Sequence, residues 1–561
     1  MHNDGLMRDP NTVTQLARLG SAHAHRLSFM RVLLRRLKRE NWRFSRHRFE
    51  IDANGVGRAV YLAAGPERTY ALVAFAHDLP DELRSDRVIA EAWDTTFCLH
   101  DGIPSDADLD RLEANVPKQE AGRISGRELS LSRANRSVRL FKTVIDALST
   151  GHQPDADELL RVGYLMRTTA VYGSGKFGAA DRDAISNRAE FASPFQVELL
   201  NVFLIRAFTL DLVEHMAAAK GGESAVTLEP ALRRTLGVGN STGLGMAPFL
   251  VNHPRLTHSW LHARETALAR VRALPDAPQS TVDAFLHFLR RAQQNAATWH
   301  SEHPVQQPKI ASLVQDLNTL SDHFERFDWQ TIQPWNALWV WAEATLGLEG
   351  QEQLLALMLE PHGDLVDDLA DALSTDEPFP PLDARGSVAD FRAFLQTHYG
   401  WALSIDHAPD SSRARFWYVS EEKLEPRLGE RFDEPGAERE QPLGISWQVR
   451  QLDDALDAHD PNASLVDFLA RHPEHRHTVR RSQLAPAHPY MEVRDNLIDA
   501  GMLPIDLLRV KLAFFGANRF DPRSDRWLRI TMFQHAPFPD ELQSDDADDW
   551  CYPLYPPAAN A

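Results

Sequence analysis

The sequence predicts a mainly α protein of the α+β class: a large helical bundle core, a small N-terminal antiparallel sheet and a mixed C-terminal region. Three observations carry that expectation. Short apolar runs separated by turn residues fill residues 47–100. Apolar residues at three- and four-residue spacing dominate 105–405. After residue 446, helical stretches are followed by one strand-like run, RWLRITMFQ. The domains expected are 1–104, a basic helix plus the small sheet; 105–376, the helical core carrying the site; and 377–561, the mixed region with a candidate lid loop.

Composition narrows the function class. A chain of 561 residues that is 43% hydrophobic and 25% charged folds as more than one cooperative unit. Its formal net charge of −19 lacks the basic field of a nucleic-acid binder. Cys98 and Cys551 are its only cysteines, which excludes a disulfide scaffold and a thiolate metal cluster. No run reaches the ~18 apolar residues of a membrane span. The opening MHNDGLMRDP has an acidic, proline-containing flank with no apolar region after it, unlike a secretory signal. The expectation is a cytoplasmic protein with no membrane partner.

Residues 26–48 read as a basic amphipathic helix, with Leu27, Met30, Val32, Leu33, Leu34 and Leu37 on the apolar face. Such a helix suits an anionic partner or a membrane surface, but the expected reading is a solvated helix packed against the acidic bulk of its own chain or a second subunit of a homodimer. FEID, RAVYLAA, TYALVAFAH and WDTTFCLH then read as strands, with Asn54-Gly55 and Gly65-Pro66 at the turns. Beyond them, a long helix is expected from Ser193. Ser193, Pro194 and Gln196 suggest an S-x-x-Q capping box, and Gly221-Gly222 the stop. It is apolar nearly all round and so belongs in the core. Glu198, Arg206 and Thr209 fall on one side of it, as an ion pair or a cavity lining would. Further helices are expected at 255–273, 280–298, 309–326, 334–346 and 350–374. Residues 406–445, rich in charge, proline and glycine, read as irregular.

Two glycine stretches carry the chemistry. RTTAVYGSGKFG, 167–178, contains a G-S-G-K run, but Phe177 follows Lys176 and Val171 and Tyr172 stand where a phosphate loop needs glycine. GVGNSTGLGMAPF, 237–249, spaces Gly237, Gly239 and Gly243 as a dinucleotide turn would, yet LEPALRRTL before it reads as helix. Neither is a nucleotide motif. Together they flank the long helix with hydroxyls, amides and fixed cations, which suits a small anion. Arg167, Thr168, Ser174, Asn240, Ser241 and Thr242 are the candidate substrate-binding residues, with Arg206 from the helix. Thr168 and Tyr172 share a face if the helix opened by Asp155 reaches them. Tyr172 and Lys176 are the candidate catalytic pair, the lysine lowering the tyrosine's pKa. AHPYMEVRDN places Tyr490 and Arg494 four apart, and adds Arg494 to the substrate-binding set; FWYVSEEKLEPRLGER is the candidate lid.

The histidines of SAHAH and HPEHRH lack carboxylates at the spacing zinc hydrolases use, so no metal is expected. No G-x-S-x-G elbow is present. The reading is an enzyme acting on a small carboxylate or phosphate substrate by metal-independent acid/base chemistry, of lyase or isomerase type. An organic cofactor is left unassigned: the same loops would serve a transferase or oxidoreductase holding a nucleotide-type cofactor. A helical scaffold or regulatory protein, in which the loops are only caps, is the third reading.

Overall fold

The structure, a computed structural model, describes residues 4–79, 93–115, 125–168, 185, 187–243, 249–301, 306–371, 373, 380–405, 416–419, 424–426, 439–442, 445–494, 503–517, 520–524 and 527–544. The chain forms two compact units that interleave along the sequence. One comprises 24–243, 285–301 and 515–561; the other comprises 1–23, 244–284 and 302–514. Among the described residues, no helix is long and apolar enough to cross a membrane.

The first unit is organised by a mixed sheet, and here the expected fold class is overturned. The sheet is neither small nor N-terminal: nine strands pair in the order β1-β2-β3-β4-β5-β6-β7-β12-β11. These strands are β1 (Arg43–Ile51), β2 (Gly57–Ala64), β3 (Thr69–Ala76), β4 (Thr95–Asp101), β5 (Glu128–Arg136), β6 (Tyr164–Thr168), β7 (Gly237–Gly243), β11 (Phe520–Ser524) and β12 (Trp527–Met532). The first four occupy the segments whose period-two pattern predicts them. The next three interrupt the region expected to be helical. All neighbours are antiparallel except β6 and β7, which run parallel.

One face of this sheet is covered by the long helix, Gln196–Gly221, which packs against β2 to β7. Its burial matches the apolar composition: Leu199, Phe203, Ile205, Phe208 and Leu212 are enclosed. Phe208 meets Phe97 and Tyr61 edge-on at 5.6 and 6.2 Å. The expected capping box is absent. Phe195, at φ 62°, precedes the first turn, and the Gln196 side chain donates instead to the carbonyls of Pro194 and Phe29. On the opposite face the helix Asp106–Asn115 seats Leu109 and Leu112 on Val60, Val73, Cys98 and Leu131. The basic helix is Phe29–Arg39, shorter than its amphipathic pattern, because Arg43 onward pairs as β1.

The second unit is helical, with Pro254–Arg272, Gln306–Phe324, Pro334–Thr345 and Leu348–Leu359 close to the expected bounds. A separate apolar cluster joins the helices Val388–Leu403, Ile445–Asp457 and Leu465–Arg471. Within 406–445, three short strands, β8 (Phe416–Val419), β9 (Leu424–Pro426) and β10 (Arg439–Pro442), form an antiparallel sheet in the order β10-β8-β9. Most of the candidate lid motif, including Glu421, Glu422, Lys423 and Arg427, lies outside the described residues.

This unit also buries a network of charges. Glu352 accepts from Arg8 at 2.6 Å, Arg18 at 3.0 Å and pairs with Arg264 at 3.2 Å. Glu265 holds the other side of Arg8 at 2.7 Å. Surrounded by these guanidinia, the Glu352 carboxyl is pushed far below its ordinary range, although burial alone would raise it. The network pins residues 8–18 onto two helices, and its charges are compensated rather than left for a ligand.

Candidate functional site

The helix opened by Asp155, whose carboxylate accepts from the Glu158 amide at 2.7 Å, stops at Val162. Gly163 ends it in the left-handed region, φ 78°, a conformation that glycine adopts without strain. Tyr164–Thr168 then extends as β6. Thr168 is therefore a strand residue, not the helical neighbour of Tyr172 that an i, i+4 reading requires. Tyr172, Ser174 and Lys176 lie outside the described residues.

β7 is the larger surprise. LGVGNSTG reads as a loop, and it is a strand between β6 and β12. Two of its glycines make that possible by absence of a side chain. A Cβ on Gly237 would lie 2.2 Å from the Met532 carbonyl oxygen, and one on Gly239 would lie 2.5 Å from the Tyr164 ring. Protein atoms fill the space that a dinucleotide reading would give to a pyrophosphate.

The parallel pairing has one geometric consequence. β6 and β7 point their carboxyl ends the same way, with Tyr164 level with Gly237 and Arg167 with Gly239. The two glycine stretches thus leave adjacent strands side by side, in sequence at 169 and 244. In open α/β sheets the carboxyl ends of parallel strands are a common place for ligands.

Strand alternation sorts the candidate residues between the two faces. Met166 faces the long helix, its sulfur 3.7 Å from Thr209 Oγ1. Thr168, two residues on, shares that face, and its hydroxyl donates to the Arg133 carbonyl at 3.1 Å. Asn240 follows Gly239 onto the same side and is 2% exposed. Arg167 takes the opposite face, buried and level with Asn135 of β5. Ser241 and Thr242 are register partners of Arg529 and Leu528; their side chains lie outside the described residues.

Register brings in residues that sequence reasoning missed. Thr96 of β4 is level with Arg133 of β5, and Asn135 with Arg167 of β6, so the four form one block on the face of Arg167. Burial pushes the Arg133 guanidinium below its ordinary value, and its carbon lies 4.9 Å from the centre of the Trp93 ring. Asn135 Oδ1 accepts from the Asp94 amide at 3.0 Å, which fixes the side-chain amide so that its Nδ2 points elsewhere. That Nδ2 and the Thr96 hydroxyl are buried and make no hydrogen bond. Asp94 is itself engaged: it accepts from the Arg136 amide at 2.9 Å. No local sequence pattern links positions 96, 133, 135 and 167; only the pairing of three strands does.

On the long-helix face, Asn201 donates from Nδ2 to the hydroxyls of Ser130 and Ser132 at 3.3 and 3.1 Å. Its Oδ1, and the Nδ2 of Asn240, are buried and make no hydrogen bond. Buried polar groups are nearly always satisfied, and each orphan costs about 1–3 kcal/mol.

Arg206 and Arg494 have other partners. The Arg206 guanidinium bonds the carbonyls of Leu236 at 2.6 Å, Ala536 at 2.8 Å, Pro537 at 3.2 Å and Arg234 at 3.3 Å, and stacks 3.7 Å from the Phe538 ring. It closes the carboxyl end of the helix Pro230–Thr235, where carbonyls lack helical partners. Burial holds its pKa well below the ordinary arginine value. Glu198 is not its ion-pair partner. Arg494 belongs to the other unit, where Nε donates to Thr14 Oγ1 at 2.9 Å and its main chain to the Thr14 carbonyl.

Among the described residues, no group of three His, Cys, Asp or Glu side chains is arranged to hold a metal ion. Comparison of the chain with known protein families, with characterised proteins and with solved structures returns no significant match.

Proposed function

We propose that the protein is an enzyme that binds a small carboxylate or phosphate at the carboxyl ends of β6 and β7 and transforms it by acid/base chemistry of the lyase or isomerase type. The observation that carries this reading is the block of Arg167, Arg133, Asn135 and Thr96 beside the sheet's parallel pair. Two guanidinia with a free amide N–H and a free hydroxyl offer what an anion loses when it leaves water. Tyr172 and Lys176, four and eight residues beyond Thr168, supply the acid and base: a cation beside the phenol stabilises the phenolate, which then accepts a proton next to the bound anion.

The test begins with thermal shift against inorganic phosphate and a panel of small carboxylates. Arg167→Gln should weaken binding of any responding anion by about tenfold or more. Lys176→Ala and Tyr172→Phe should leave melting unchanged while lowering turnover on the responding substrate by about a hundredfold. An anion-independent melting temperature, in wild type and Arg167→Gln alike, supports the scaffold reading and overturns this one.

A further inference from the structure

In the helical unit, three histidines and a tyrosine meet at one place. His258 and His262 lie one turn apart on the helix Pro254–Arg272, their ring centres 5.4 Å apart. His488 meets His258 at 4.9 Å, and the Tyr490 ring stacks on His258 at 6.0 Å. The contact is also polar: the Tyr490 amide donates to His258 Nδ1 at 3.2 Å. That bond fixes the state of the ring. Nδ1 accepts only while the imidazole is neutral, with its proton on Nε2.

Residues 488–494 form a clasp around this contact. The Tyr490 hydroxyl donates to the Arg8 carbonyl at 2.8 Å. The Arg494 amide and Nε donate to the Thr14 carbonyl and hydroxyl at 2.8 and 2.9 Å. On its other side, Glu492 accepts from Arg481 at 2.6 Å and from the Tyr399 hydroxyl at 3.2 Å, and Met491 packs into the apolar cluster that contains Tyr399. The clasp thus ties that cluster to the N-terminal segment and to the helix of His258. Residues 488–494 lie outside any helix or strand, so their order depends on such contacts.

We propose that this clasp is an acid-opened switch: protonation of His258 turns Nδ1 from acceptor to donor, breaks the Tyr490 bond and frees residues 488–494 from the helix and the N-terminal segment. The surrounding charges favour that outcome. Arg255 faces His488, and Arg8 and Arg264 face Tyr490. The carboxylates nearby are engaged: Glu265 pairs with Arg8 at 2.7 Å and Arg264 at 3.1 Å, and Asp9 accepts from the Asn11 amide at 2.8 Å. Burial, with His488 and His262 alongside, lowers the His258 pKa from the ordinary 6.5 to about 3. Burial lowers His488 as well. The closed clasp therefore binds fewer protons than the open one, so closure is favoured most above pH ~6.5 and weakens as pH falls toward ~3. Glu352, whose carboxyl lies far below its ordinary range, keeps its charge over that interval and holds Arg8 and Arg18 in place, which makes the opening local.

Hydrogen exchange of the full chain, corrected for the intrinsic exchange rate at each pH, tests the switch. Amides of 488–494 should lose protection by about tenfold between pH ~7 and pH ~5, while those of the helix Pro254–Arg272 keep theirs. His258→Asn retains an acceptor near the position of Nδ1 but takes up no proton, so it should stay protected at both pH values. His258→Leu lacks the acceptor and should show the open level at both. Equal protection of 488–494 at the two pH values in the wild type overturns the proposal. So does an undiminished loss in His258→Asn, a His258→Leu chain as protected as wild type at pH ~7, or a loss shared by the helix Pro254–Arg272. The wild-type comparison decides by itself should either variant fail to fold.

Discussion

Arg206 and Arg167 are both buried arginines of the sheet unit, and their surroundings part them. Four backbone carbonyls and the Phe538 ring enclose the Arg206 guanidinium, so its role is to close a helix end and hold residues 536–538. A periodicity argument could place it on the polar side of the long helix but not say what it meets. Lys511 is a third buried cation, and its titration carries a pH dependence. It is 1% exposed, and burial pushes its amine from the ordinary lysine value down to about 7. The unfolded chain then binds more protons than the folded one between that pH and the ordinary value near 10.5. Its destabilising contribution is full below pH ~7 and fades as pH rises to ~10.5. Lys511→Met should therefore raise stability by a few kcal/mol at pH 6.5 and by little at pH 10.5. Chemical denaturation at the two pH values checks this; an equal gain at both would show that packing, not ionisation, sets the difference.

At the scale of elements, legibility followed the source of the stabilisation. β1 to β4 carry their own alternation and tight turns, and the helices of 254–359 carry their own apolar spacing, so local sequence suffices. β7 does not. LGVGNSTG has the composition of a turn, weak in strand propensity, and becomes a strand because β6 and β12 pair with it from 70 or more residues away. The same holds for the site. Arg167 was readable as a cation beside a glycine stretch, whereas Thr96, Arg133 and Asn135 needed the register. The glycines of β7 make the point testable. Gly237→Ala drives a Cβ against a backbone carbonyl that cannot move without unpairing β12, so a loss above about 2 kcal/mol is expected. Gly239→Ala meets a side chain instead, the Tyr164 ring, and combining it with Tyr164→Ala should recover part of the loss. Thermal melts of the two singles and the double decide it. Absence of any recovery would mean that β7 tolerates no side chain at 239 for reasons of backbone alone.

At the scale of the whole molecule, the chain order differs from the spatial order. The sheet begins at Arg43, yet its strands beside β7 come from 520–532, after the helical unit has been completed. No reading that divides a sequence into consecutive blocks recovers such an arrangement, because the joining contacts cross some 290 residues of intervening chain. The chain beyond Phe515 does two things for the sheet. β12 pairs with Val238–Gly243 along its full length, and residues 536 and 537 supply two of the four carbonyls on Arg206. A chain ended at Phe515 therefore exposes one side of β7, removes Phe533 from beside Phe203 and leaves the Arg206 guanidinium partly unmet in the core. Hydrogen exchange read by mass spectrometry should show β6 and β7 losing most of their protection in the truncated chain. The helices Pro254–Arg272 and Leu348–Leu359, held by the Arg8, Glu265 and Glu352 network in the other unit, should keep theirs. Full protection of 237–243 after truncation would mean that β6 alone sustains β7, and that the far end of the chain is dispensable to the candidate site.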